Sequence, residues 1–121
     1  MKDKRILIID DDVELCEEVA EVFRDEGHSV TNISDPKESQ ELIDNGTFDI
    51  VIVDYKMPGL NGIELVKNIK KKNPKICVFI ASGRPFIEKL IEEEKVAHLV
   101  SGVISKPFNC AVLLEKIKSA Y

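Results

Sequence analysis

Three carboxylates, one hydroxyl and one ammonium group stand just past short apolar runs. Asp10 and Asp11 follow Arg5 to Ile9, Asp54 follows Phe48 to Val53, Ser82 follows Ile76 to Ala81, and Lys106 comes shortly after Val100 to Ile104. Carboxylates gathered at about 5 Å repel by about 3 kcal/mol per pair at an effective dielectric near 20, so such a cluster calls for a cation or for raised pKa values. An all-oxygen set with room for waters and a phosphate oxygen suits Mg²⁺ better than Zn²⁺. A carboxylate nucleophile such as Asp54 forms an acyl phosphate, while the Lys106 ammonium and the Ser82 hydroxyl are suited to neutralise and orient a transferring phosphoryl group.

That chemistry requires the five residues to meet, and the elements implied by the sequence bring them together. Apolar runs rich in Ile and Val alternate with amphipathic stretches five times, the pattern of a parallel sheet with crossover helices. Arg5 to Ile9 and Phe48 to Val53 carry the continuous apolar runs Ile6 to Ile9 and Ile50 to Val53, as strands buried on both faces must, and the second is expected at the centre of the sheet. His28 to Ile33 alternates and is expected nearer an edge. The first helix begins near Val13, with Cys16, Val19, Val22 and Phe23 on its apolar face, and stops at Gly27. Ser34, Asp35 and Pro36 cap and open a second helix that runs to about Asn45. The stretch from Tyr55 to Asn61 reads as a loop, with Gly59, Asn61 and Gly62 as turn residues, and a third helix ends near Asn73. Further helices are expected from Phe86 to about Ala97 and from Asn109 to Ala120, the latter with Cys110, Leu113, Leu114 and Ile117 on its apolar face. In an open sheet of this kind ligands bind beyond the carboxyl ends of the strands, where all five residues fall.

Composition narrows the alternatives. A length of 121 residues, 44% hydrophobic and 32% charged, suits one domain, taken as 1–121. A net charge of -5 argues against direct nucleic-acid binding. Glu14, Glu17, Glu18 and Glu21 on one helix, and Lys67, Lys70, Lys71, Lys72 and Lys75 on or beside another, read as solvated faces. No stretch has the length and apolarity of a membrane span, and MKDKR leads straight into a strand, so the expected location is the cytoplasm, with no membrane partner. Cys16, Cys77 and Cys110 lie far apart in apolar patterns and are expected to be buried thiols.

Four segments in this order, Ile6 to Asp11 (ILIIDD), Ile50 to Leu65 (IVIVDYKMPGLNGIEL), Val78 to Gly83 (VFIASG) and Ser105 to Phe108 (SKPF), give the chain a specific resemblance to the receiver domains of two-component response regulators. The resemblance spans nearly the whole chain. It implies a flavodoxin-like (βα)5 fold, an α/β doubly wound sandwich with a five-stranded parallel sheet in the order 2-1-3-4-5. It implies Asp54 as phosphoacceptor, Ser82 and Lys106 as its assisting groups, and a metal site formed by Asp10, Asp11, Asp54 and the backbone carbonyl of Lys56. The cofactor implied is Mg²⁺, with Mn²⁺ able to substitute, and a cis peptide is implied between Lys106 and Pro107. The implied partners are a sensor histidine kinase or a histidine phosphotransfer protein upstream, and downstream a protein target or a missing output domain. The chain reads as a stand-alone receiver or as one cut from a longer protein. It departs from the family at Val103, where an aromatic residue is usual, and at Leu99, where glycine is common.

Blander readings compete with these. Alone, Asp10 and Asp11 would read as caps of the first helix, a role that Asp12 can also fill. His28 and His98 lack the exposed helical context of a phosphoryl relay, and Tyr55 and Phe86 read as packing or rim residues. A Mg²⁺-dependent phosphohydrolase also uses an aspartate after a strand, but normally has a second acid two residues on, where this chain has Lys56. The favoured expectation is therefore a stoichiometric phosphoacceptor, with at most slow self-phosphorylation and self-dephosphorylation, rather than a turnover enzyme.

Overall fold

A computed structural model of the chain describes residues 4–45, 48–57, 60–83, 89, 92, 97–105 and 110–119. Strands β1 (Arg5–Ile9), β2 (Ser29–Ile33), β3 (Ile50–Asp54), β4 (Cys77–Ser82) and β5 (Gly102–Ser105) form one sheet. Every pairing in it is parallel, and the spatial order is β2-β1-β3-β4-β5, which is the expected order 2-1-3-4-5. Helices α1 (Val13–Asp25), α2 (Pro36–Asn45) and α3 (Gly62–Lys72) and the C-terminal helix Cys110–Ser119 connect or follow the strands.

The two faces of the sheet carry separate cores because successive residues of a strand point to opposite sides. Leu7, Ile9, Val51, Val53, Val78 and Ile80 join Ile63, Val66 and Ile69 of α3 on one side. Ile6, Ile8, Ile50, Ile52, Phe79 and Ala81 join Cys16, Val19 and Phe23 of α1 and Leu113 and Ile117 of the C-terminal helix on the other. All five residues of β3 are buried, as its uninterrupted Ile-Val run requires, and β2 is half-exposed at the sheet edge. The buried stripe of α1 is Cys16, Val19, Ala20 and Phe23, so Ala20 takes the place expected of Val22, which is half-buried.

The end of α1 shows how a glycine and a histidine set the chain's direction. Gly27 has φ 95, in the left-handed region, and its N–H donates to Arg24 O at 3.0 Å while the His28 N–H donates to Phe23 O at 3.1 Å. This is a Schellman motif, and the accompanying contact is the edge-to-face pair of Phe23 and His28, with ring centroids 6.2 Å apart. His28 is buried and its Nδ1 accepts the Lys4 N–H at 3.0 Å, which ties the start of β1 to the end of α1. His28 is thus a structural residue, whereas His98 is exposed in a 3₁₀ turn, Ala97–Leu99.

Four expectations need correction or fall outside the described residues. The stretch expected as a plain loop after Asp54 contains an antiparallel ladder, Lys56–Met57 against Leu60–Asn61. β5 starts at Gly102 rather than Val100, because residues 97–99 form the 3₁₀ turn just before it; at Gly102 itself a Cβ would meet the Phe79 ring at 3.2 Å. Cys16 is buried as expected, but Cys77 is only half-buried at the start of β4, and the Cys110 side chain is not among the described ones. The helix expected from Phe86 to Ala97 falls mostly outside the described residues; Lys89 and Glu92 are helical, while Ala97 belongs to the 3₁₀ turn.

Both charge runs lie on solvated faces. The four glutamates of α1 are exposed, Lys67 pairs with Glu64 at 3.6 Å, Lys72 pairs with Asp44, and Lys70 Nζ donates to Pro74 O and Ile76 O, closing the end of α3.

Gly27→Ala is expected to lower unfolding stability by about 1 to 2 kcal/mol in urea with an unchanged m-value, because an L side chain is strained at this φ. Asp49 accepts from the Arg5 N–H at 2.9 Å and from the Arg5 guanidinium. Partial burial pushes its carboxyl up, but the bonds and charge of Arg5, helped by Lys4, outweigh this and hold it below the ordinary carboxylate value of 3.8. A depressed carboxylate stabilises the fold above its unfolded pKa and loses that contribution as pH falls through its folded pKa. Asp49→Asn is therefore expected to lower stability at pH 7 and to flatten the loss of stability in acid below about pH 4, followed by thermal melts across pH.

Candidate functional site

The carboxyl edge of the sheet brings the acidic residues together. β1 and β3 pair in register from Ile6 and Ile50 to Ile9 and Val53, so Asp10 and Asp54 leave adjacent strands at the same level. One carboxylate oxygen from each of Asp10, Asp11 and Asp54 lies within 4.8 Å of the others. Asp10 and Asp54 are only 2% and 6% exposed, so water screens their charges poorly, while Asp11 is exposed at the rim.

Capping of α1 does not occupy the cluster. Asp12 is the N-cap, its Oδ1 accepting the Leu15 N–H at 3.1 Å, and Asp10 Oδ1 accepts the Asp12 N–H at 3.0 Å. The backbone of Asp10 is itself held, its N–H donating to Ile33 O at 3.1 Å. Beside Asp10, a cavity of about 100 Å³ is lined by Val13, Cys16, Glu17, Asn32, Ile33 and Ser34. Asn32 Nδ2 donates to Glu17 Oε1 at 3.1 Å and Cys16 Sγ lies 3.8 Å from Asp10 O. This wall joins β2 to α1 across 15 positions, and no local sequence pattern signals it.

The hydroxyl expected at the site also sits at this edge. Asp54 pairs in register with Ala81, the residue before Ser82, and the Tyr55 N–H continues that ladder to Ala81 O at 2.9 Å. Ser82 is 5% exposed and pairs in register with Ser105 at the end of β5. The backbone of Lys56, which carries the expected carbonyl ligand, pairs with Asn61 two residues beyond Asp54. Lys106 and Pro107 lie outside the described residues.

The carboxylates are hard anionic oxygen donors. They fit Mg²⁺, which binds through one or two carboxylates while keeping several waters, better than they fit a metal that prefers thiolate or imidazole.

Comparison with known proteins agrees with this geometry. The family model of the response regulator receiver domain matches residues 6–118. The chain is 32% identical over 123 residues to the chemotaxis protein CheY-3 of Vibrio cholerae serotype O1, covering 99% of this chain and 93% of that protein. The CheY-like receiver domain of Methanospirillum hungatei superposes with a TM-score of 0.87 at 30% identity, over 98% of this chain and 93% of that one. The response regulator TrrA of Thermotoga maritima, solved in complex with Mg²⁺ and BeF, superposes with a TM-score of 0.83 at 26% identity, over 98% and 99%. With a family match that runs nearly end to end over a sheet of this order, the chain belongs to the response regulator receiver domains, the phosphoacceptors of two-component signalling.

Proposed function

We propose that Asp54 is the phosphoacceptor of this receiver domain and that the single domain 1–121 works as a stoichiometric switch in the cytoplasm. The observation that carries this reading is the convergence of Asp10, Asp11 and Asp54 within 4.8 Å around the end of a wholly buried strand. A nearly buried carboxylate at the end of a strand whose backbone is still paired, Asp54 with Ala81, is a preorganised nucleophile.

Response regulators receive phosphoryl groups from histidine kinases, and receiver domains bind Mg²⁺ at an acidic pocket. In this chain an Asp54 carboxylate oxygen would form the new O–P bond as the N–P bond of a phosphohistidine breaks, with the electron pair and then a proton going to the departing imidazole nitrogen. Bound Mg²⁺, or Mn²⁺ in its place, would neutralise charge on the phosphoryl oxygens. Asp10, Asp11, Asp54 and the Lys56 carbonyl would hold the ion. The Ser82 hydroxyl donates to a phosphoryl oxygen and the Lys106 ammonium balances its charge. Among the described residues no helix is long and apolar enough to cross a membrane.

The donor is a sensor histidine kinase or histidine phosphotransfer protein. The recipient of the signal is a protein target or an output domain, engaged without direct binding to nucleic acid. With no second acid at position 56, turnover of small phosphoesters is not the reaction, and self-phosphorylation and self-dephosphorylation are at most slow.

Asp54→Asn is expected to abolish phosphoryl uptake from acetyl phosphate with Mg²⁺, read by intact mass, and to raise the melting temperature by removing one of three repelling charges. Uptake by the variant at the wild-type rate would contradict the assignment. In Mg²⁺ titrations Asp11→Ala is expected to weaken binding at least about tenfold, and Asp10→Ala less, as expected for loss of a ligand or of its support. Unchanged curves in both variants would remove these residues from the metal site.

A further inference from the structure

The cavity beside Asp10 has no part in the proposed phosphoryl chemistry, yet its lining is chemically one-sided. Its volume of about 100 Å³ matches roughly three water molecules at their liquid volume. Acceptors dominate the walls, with carboxylates from Asp10 and Glu17 and a carboxamide from Asn32. The donors are engaged or lie in the open: the Asn32 Nδ2 group bonds Glu17 Oε1 at 3.1 Å, the Cys16 thiol lies 3.8 Å from Asp10 O, and Ser34 is exposed. With the amide turned to Glu17, Asn32 Oδ1 is a buried acceptor that no donor meets among the described residues. Such an oxygen calls for a donor from outside the protein.

Metal-bound water is a donor of the right kind. Mg²⁺ held by one or two carboxylates keeps several waters, and the ion's charge makes them strong donors. We propose that Glu17 and Asn32 are positioning residues for the metal, accepting hydrogen bonds across this cavity from the water shell of an ion held at Asp10 and so raising its affinity. This rests on Asp10, Asp11 and Asp54 forming the metal site. Glu17 is not in the group of carboxylates within 4.8 Å of one another, so it acts through water and charge rather than as a direct ligand. Asn32 has two tasks, because its amide fixes the Glu17 carboxylate while its Oδ1 accepts.

The test is Mg²⁺ titration of the full chain, read from the amide NMR shifts of Asp10, Asp11 and Asp54, with urea unfolding in the absence of Mg²⁺ as the measure of the fold. Asn32→Leu keeps the bulk of the side chain but removes its donor and its acceptor, and its Mg²⁺ affinity is expected to fall about tenfold, as when an outer partner of a metal is lost. Asn32→Asp also loses the bond to Glu17 but keeps an acceptor, and is expected to bind Mg²⁺ at least as tightly as the wild type. Glu17→Gln still accepts from Asn32 and loses only the charge, so its affinity should fall about threefold at low salt and by less at high salt. Glu17 is exposed, so this variant reports on the charge even where Asn32→Leu fails to fold. Unchanged affinity in Asn32→Leu or in Glu17→Gln would overturn the proposal. So would equal losses in Asn32→Leu and Asn32→Asp, which would make Asn32 only a tie between β2 and α1. Unchanged titrations in both Asp10→Ala and Asp11→Ala would instead overturn the metal site itself.

Discussion

The mutual repulsion of Asp10, Asp11 and Asp54 is the constraint around which the domain is arranged. Three carboxylate oxygens within 4.8 Å of one another repel by about 3 kcal/mol per pair at an effective dielectric of 20, and two of the three side chains are almost wholly removed from water. Asp10 and Asp54 are held in place by the strands they follow or end, while Asp11 stands exposed at the rim. β1 and β3 supply that constraint, adjacent strands of fully buried Ile, Leu and Val that both end at an acid. The same repulsion gives the site its chemistry, because a divalent ion and a phosphoryl group bring the countercharge and the covalent partner that relieve it.

Much of this was legible in the residues. The consecutive apolar runs of Ile6 to Ile9 and Ile50 to Val53 require strands covered on both faces, and helices between them require a parallel sheet. Gly27 marks the end of α1 because an L side chain resists its φ of 95. The three acids could be assigned to one edge because ligands in such sheets gather at the carboxyl ends of strands. Ser82 followed from the same rule, at the end of β4.

What escaped the sequence was set by contacts between distant residues. The Glu17 and Asn32 bond beside Asp10 links α1 to β2, and neither residue announces the other. Ala20 rather than Val22 is buried because the angular position of a residue on α1, not its size, decides which side chain turns inward. The late start of β5 follows from the 3₁₀ turn at Ala97–Leu99, which no run of β-formers encodes. The short ladder at Lys56 and Asn61 lies among turn residues, which give no strand signal of their own.

The half-burial of Tyr55 on the core between the sheet and α3 has the same origin, being a property of the folded sheet and not of the residue type. The carboxylate that carries the phosphoryl group distinguishes an acceptor role for Asp54 from one for Asp10 or Asp11. The most direct measurement is borohydride reduction of the protein after incubation with acetyl phosphate, followed by peptide mapping by mass spectrometry, with Mg²⁺ present or chelated. Reduction of an acyl phosphate converts aspartate to homoserine, so the conversion is predicted at residue 54, only with Mg²⁺; conversion at Asp10 or Asp11, or equal conversion after chelation, would contradict it.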